Sequence, residues 1–356
     1  MNNQLWEDIL AQGDNLGRVV NHLQGPEAPS LRGAARFLKN GKPTAFIGMG
    51  SAAYLSMPAE AYLGLRGFPA MVLNASDALY TYWPTLAHVN VVLNTRSGKT
   101  VEQVKLAERL VAADLPFVTI TNEPESPVAQ MATHVVWTNT RKDDLVSINI
   151  VTAMMTTALL LVAEIVGETE ALQPALAAVG DTMDETVARA TARADELAEP
   201  FAPIRPVYLL HRGLSKGAAY CGRLVLEEVA RTPGVTLEVG EFRQGPVEVV
   251  DDRFGAVVFV PDGEVGDLTR TFIRSVRSGE GHVLAVGFEA DVQTLGEDAG
   301  VFSIPSVPTI LRPVFEVVPT QLLAYKLAEY QGYEPGTVRY LPKVITSETA
   351  IPNLTP

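Results

Sequence analysis

The sequence predicts an α/β protein: two tandem, doubly wound parallel-sheet units preceded by short N-terminal helices. Two observations carry this expectation. From Pro43 onward, short Val/Ile/Phe-rich runs (TAFIGMG, AMVLN, HVNVVLN, PFVTIT, THVVWTN) alternate with helical windows and close with a long apolar helix after Asp144. Strands alternating with helices imply a parallel sheet covered on both faces. The second half then repeats the first in register. Ser51 of IGMGS answers Ser215 of LHRGLS 164 positions later, whereas VVLNT at 91, FVTIT at 117 and VVWTN at 135 are answered by VVFVP, VLAVG and VFSIP, each 166 positions later. The closing helices end alike, at Gly167 and Gly332. Five landmarks in register are the signature of a duplicated unit.

Taken in order, residues 1–40 carry a partial amphipathic pattern (Leu5, Ile9, Leu16, Val19, Val20, Leu23), broken by GPEAPS and resumed by LRGAARFLKN. They read as N-terminal helices, too few for a domain. The first sheet unit spans 41–170. The alanine-rich, acidic stretch 171–200 reads as a helical linker rather than a flexible tether. The second unit spans 201–332, and 333–356 is a tail expected to contribute to the site.

Composition narrows the function classes. The 356 residues are 47% hydrophobic and 19% charged, which fits a globular chain with two cores. A net charge of −13 repels nucleic acid and anionic lipid, so neither is expected as a partner. The single cysteine, Cys221, excludes an internal disulfide framework and a cysteine zinc cluster and suits the cytoplasm. No basic, apolar leader opens the chain, and the polar members of Leu145–Val166 (Ser147, Asn149, Thr152, Thr156, Thr157, Glu164) read as a buried helix rather than a span. His22, His88, His134 and His282 show no ligand spacing, so no metal or other cofactor is expected.

The chemistry centres on NTRSGKT, residues 94–100, between an apolar strand and the helical VEQVKLAERLVAA. Thr95, Ser97 and Thr100 offer hydroxyls, Gly98 admits close backbone approach, and the first helical turn presents free N–H groups at the positive end of the helix dipole. A phosphate is the expected guest. A P-loop is disfavoured because GxxxxGK[ST] demands glycine where Leu93 stands. FIGMGSAAY also matches GxGxxA, but the next strand ends in Asn74 rather than the acidic residue that a dinucleotide ribose needs. The counterpart of the hydroxyl loop in the second half, VPDGEVGD, is acidic and would repel phosphate, so the halves divide the labour.

These motifs, in this order, resemble the sugar isomerase (SIS) family, and most of all the isomerase half of glucosamine-6-phosphate synthase and the fructosamine-6-phosphate deglycases. The resemblance covers residues 43–346. It implies that Ser51, Thr95, Ser97 and Thr100 hold a sugar phosphate, and Arg96 and Gly98 of the same loop, with Lys99 and Ser147 as further candidates, complete the expected phosphate site. It implies that Glu228 in LVLEEVA is the proton shuttle, that Gln244 stands where the family has its histidine, and that Lys343 lies at the open-chain sugar. Family relatives resemble dimers, which implies a homodimer sharing its sites, with Gln244 acting across the interface.

The departures are specific. Glutamine cannot shuttle a proton near neutral pH, the family lysine one turn before the glutamate is Val225, and its S-T-K reads Ser147, Ile148, Asn149. Arg96 and Lys99 add positive charge to the loop. Glu227 rivals Glu228, and His211, at the end of a strand, is a candidate acid in place of Gln244. With 42 residues before the first strand, no glutaminase region is expected. The expected activity is isomerisation, deamination or deglycation of an amino sugar phosphate or fructosamine 6-phosphate through an enediol or enamine. The alternative is a non-catalytic sugar-phosphate sensor.

Overall fold

The computed structural model describes residues 3–296 and 300–348. Among them lie ten strands: β1 Thr44–Gly48, β2 Ala70–Asn74, β3 Asn90–Thr95, β4 Phe117–Thr121, β5 His134–Trp137, β6 Val207–His211, β7 Gly234–Glu238, β8 Gly255–Phe259, β9 His282–Phe288 and β10 Val301–Ile304. They form two wholly parallel five-stranded sheets, ordered β2-β1-β3-β4-β5 and β10-β9-β8-β6-β7. Numbered within each half, both orders are 2-1-3-4-5, the doubly wound arrangement whose ligand crevice opens at the carboxyl ends of the strands flanking the reversal. Those strands are β1 and β3 in the first sheet, paired through Thr44↔Asn90 to Ile47↔Leu93, and β6 and β8 in the second, paired through Tyr208↔Ala256 to Leu210↔Val258.

The chain divides into two compact units, Gly13–Gly180 with Arg339–Pro356 around the first sheet, and Met1–Gln12 with Asp181–Val338 around the second. The N-terminal helices α1 (Gln4–Leu10), α2 (Gln12–Gln24) and α3 (Ala28–Leu38), expected as one segment, are shared between the units. The tail expected from 333 divides at Val338, and its residues 349–356 lie outside the described residues. The linker is helical, as Thr169–Ala177, Val179–Ala192 and Ala194–Ala198, and the division falls inside it.

In the first unit β1, β3 and β4 are buried along their whole length, as their apolar runs require. The short helix α4 (Ser51–Tyr54) follows β1, and helix α5 (Val101–Ala112) buries Gln103, Leu106, Ala107 and Leu110, a three-four spacing laid on the sheet. The apolar stretch after Asp144 becomes α6 (Asn149–Val166), long and apolar enough to cross a membrane by length and composition, with 89% of it buried inside the protein. Gly167 ends it in the left-handed conformation at φ 81°. In the second unit α7 (Lys216–Val229) follows β6, α8 (Gly263–Ser278) follows β8, and α9 (Arg312–Tyr330) closes the fold with its apolar side chains buried.

Candidate functional site

In the first unit the site is a turn at the carboxyl end of β3. Thr95 is buried, and its Oγ1 accepts the Gly98 N–H at 3.0 Å, folding the chain back on itself. Gly98 sits at φ 60°, and a Cβ placed there would lie 1.9 Å from Ser126 Oγ, so no other residue fits. The Lys99 N–H reaches Ser97 Oγ at 3.3 Å. Thr100 is the N-cap of α5 but makes no side-chain cap bond, which leaves its hydroxyl available.

Beneath the turn, Asn94 is fully buried, donates to Ser56 Oγ and offers its carbonyl to the Gln103 side chain. This network, which the sequence reading missed, fixes the direction in which β3 leaves the sheet. Ser51 opens α4 after Gly50 at φ 55°, on the neighbouring strand of the same sheet edge, and is half-buried. Among the described residues its hydroxyl makes no hydrogen bond, and exposed Lys99 makes no ion pair.

Arg96, Ser147 and Lys343, far apart in sequence, come together here. Arg96 Nη1 donates to Ser147 Oγ at 3.2 Å and Nη2 to the Lys343 carbonyl at 3.0 Å. The Arg96 guanidinium is thus engaged by the protein itself rather than left free in the loop. Lys343 is exposed and its Nζ lies 2.9 Å from Asp144 Oδ1. Asp143 was not foreseen as a functional group. Its buried carboxylate accepts the backbone N–H groups of Ile148, Asn149 and Ile150, saturating the N-terminus of α6 with an internal anion. Burial pushes its pKa up while those N–H groups pull it down, and the net shift is upward. An acidic pair ahead of a long helix was the available signal.

In the second unit Glu228 and Glu227 are both half-buried on the last turn of α7. Burial pushes the Cys221 thiol up to about 12, and the Glu228 carboxylate adds to it, which places that carboxylate near the cysteine. Val225, where a lysine was the family expectation, is buried. His211 ends β6, the strand that α7 follows. The 12 residues from Lys216 to Glu228 span about 18 Å along the helix axis. His211 and Glu228 therefore lie toward opposite ends of the sheet, and the structure does not bring them together as an acid–base pair. Burial, reinforced by Lys216, holds the His211 pKa down at about 4, so its ring is neutral at pH 7. Gln244 is exposed on the loop after Val239–Phe242, next to Gly245 at φ 139° and the exposed Val247 and Val249. No group of three or more His, Cys, Asp or Glu side chains among the described residues is placed to hold a metal ion.

Residues 38–163, which contain the β3 turn and its network, match the SIS domain family. This segment is a SIS domain. The glutamine–fructose-6-phosphate aminotransferase (isomerizing) of Pyrobaculum aerophilum is 24% identical over 353 residues, 97% of this chain and 57% of that enzyme. The chain thus spans a little over half the length of that curated relative. The solved C-terminal domain of glucosamine-fructose-6-phosphate aminotransferase from Francisella tularensis superposes with a TM-score of 0.77 at 20% identity, covering 94% of this chain and 98% of that one. Tagatose-6-phosphate ketose/aldose isomerase from Escherichia coli gives 0.79 at 18%, covering 94% and 95%. The fold is therefore that of tandem SIS units, in the manner of phosphosugar isomerases.

Proposed function

We propose that the chain is an enzyme acting on a phosphorylated amino sugar or a fructosamine 6-phosphate. The observation that carries this reading is the β3 turn: a glycine-only conformation at Gly98, flanked in the chain by the hydroxyls of Thr95, Ser97 and Thr100, the free ammonium of Lys99 and the first turn of α5, with Ser51 opening the helix after the adjoining strand β1. Such a turn has the form of a clamp for a tetrahedral oxyanion. The aminotransferase and isomerase similarities favour a sugar phosphate as the guest. Glu228 is the base in this reading. Its carboxylate takes the proton from the carbon beside the carbonyl of the open-chain sugar, leaving an enediol or enamine, and returns it to the neighbouring carbon. Lys343 contacts the open-chain sugar, exchanging its Asp144 partner for substrate hydroxyls. The protein works in the cytoplasm without a cofactor, as a homodimer in which the exposed Gln244 loop reaches the partner, and the exposed Val247 and Val249 beside Gln244 support such a contact.

A second reading, a sugar-phosphate sensor without turnover, is favoured by the buried Val225 in place of a lysine and by Gln244, which has no proton to shuttle. Proton exchange in heavy water separates the two. Fructose 6-phosphate, glucosamine 6-phosphate and a 6-phosphofructosamine are followed by NMR with wild type and Glu228→Gln. Deuterium entering beside the carbonyl with wild type alone establishes the enzyme and its base. Binding without exchange establishes the sensor.

A further inference from the structure

We propose that the second unit carries a pocket for a small aromatic acid, a planar ring bearing one carboxylate, at a place that the first unit fills with its own side chains. The repeat supplies the comparison. Leu106, Ala107 and Leu110 of α5 align with Phe272, Ile273 and Val276 of α8, 166 positions later, and all six are buried. Ala75 and Ala78, after β2, align with Val239 and Phe242, after β7, 164 positions later, and all four are buried. The same two offsets pair Arg109 with Ser275, Trp83 with Val247 and Leu79 with Arg243.

In the first unit these positions close on one another. The Arg109 guanidinium lies 4.0 Å from the centre of the Trp83 ring, its Nη1 donates to the Leu79 carbonyl at 2.8 Å, and the indole packs on the core. In the second unit valine and serine leave that space open, as a cavity of about 480 Å³, a size ordinary for a small-molecule site. Val247, Val250, Leu268 and Phe272 wall it with apolar surface. Its hydroxyls are already engaged: Thr271 donates to the Asp267 carbonyl at 3.0 Å and Ser275 to the Thr271 carbonyl at 3.2 Å, both within α8. Among the described residues two arginines line it and no carboxylate does, although the chain carries a net charge of −13. Arg212 is tied to Glu238, Nε to Oε1 at 3.1 Å, whereas the exposed Arg243 side chain makes no ion pair or hydrogen bond among the described residues. An apolar slot beside one free guanidinium fits a ring that carries an acid: the ring stands where the first unit has its indole, and the carboxylate pairs with Arg243. All of these pocket residues belong to the second unit, so the site stands apart from the reading of the β3 turn. Val247 lines the pocket and Val249 does not, so the pocket and the proposed subunit contact share one valine.

The test is calorimetric titration with indole-3-acetate and with its neutral isostere indole-3-acetamide, with subunit number followed by light scattering. Three proteins are compared: wild type, Arg243→Ala, and Val247→Trp/Ser275→Arg, which grafts the first unit's pair into the pocket. Wild type is expected to bind the acid at least about tenfold more tightly than the amide, Arg243→Ala to lose that preference, and the grafted variant to bind neither. Should the graft fail to fold, the comparison of acid and amide across wild type and Arg243→Ala, an exposed position, still decides. No binding by wild type, equal affinity for acid and amide, or a preference that survives Arg243→Ala would overturn the proposal. Undiminished binding to the folded graft, or affinity that changes only where subunit number changes, would overturn it as well.

Discussion

The two sheets share one strand order and differ in what fills the carboxyl edge beside the reversal. In the first unit the turn after β3 is lined by hydroxyls and one free ammonium. In the second the same edge is filled by the protein's own ions: Arg312, 3% exposed, donates to Glu316 Oε1 at 2.7 Å and to the Val260 carbonyl at 2.6 Å, and Ser215 donates to the same carboxylate oxygen at 3.0 Å. Ser215 is the counterpart of Ser51. In one unit that serine is free among the described residues, and in the other it serves a buried ion pair. On the proposed reading the duplicated fold keeps the hydroxyl-lined crevice for a ligand and plugs the other with a buried ion pair, so the plug is expected to act on stability where the hydroxyl-lined crevice acts on binding.

Breaking the plug is expected to have the largest effect. Arg312→Met leaves the Glu316 carboxylate, fully buried and with Oε2 already unpartnered, without its cation, at a cost of about 3–5 kcal/mol in urea unfolding. Gly98→Ala should follow at about 3 kcal/mol, because it combines a left-handed backbone with the overlap on Ser126. Gly263→Ala, in the corresponding loop of the second unit at φ 66° with open space around it, carries only the backbone penalty of about 1–2 kcal/mol. Equal losses at the two glycines would remove the steric argument for the turn.

Acid sharpens the contrast further. His211 titrates at about 4 in the folded unit and near 6.5 when unfolded, so between those values the unfolded chain binds the extra proton. Stability from this group is complete above pH 6.5 and declines as pH falls toward 4, by up to about 3 kcal/mol. His211→Gln should flatten the stability–pH curve over that window. A curve of unchanged slope would contradict the buried neutral ring.

Much of this was legible in the sequence because parallel strands buried on both faces leave uninterrupted apolar runs. Nine of the ten strands contribute to such runs or to the repeat landmarks. The exception, β7 (GVTLE), is a half-buried edge strand whose threonine and glutamate break the run, so no pattern announced it. The hydroxyl turn was legible because its chemistry is contiguous. The Asn94–Ser56–Gln103 network and the Arg96–Ser147–Lys343 cluster were not, since each depends on which side chains the fold brings together, and Asp143 was announced only by the acidic pair ahead of the long helix. Arg312 and Glu316 left a trace that could have been used: a cation and an anion four apart in the otherwise apolar RPVFEVVP.

The smallest effect on stability and the most direct test of the open crevice come from Thr95→Ala, Ser97→Ala and Thr100→Ala combined. Loss of the Thr95 bond to the Gly98 N–H and of the exposed Ser97 bond to the Lys99 N–H limits the destabilisation to about 1–2 kcal/mol. Calorimetric titration with glucosamine 6-phosphate and with unphosphorylated glucosamine then decides the matter. Wild type should bind only the phosphate ester, and the triple variant should bind neither. A triple variant that kept its affinity for the phosphate ester would contradict the assignment of the β3 turn as the clamp.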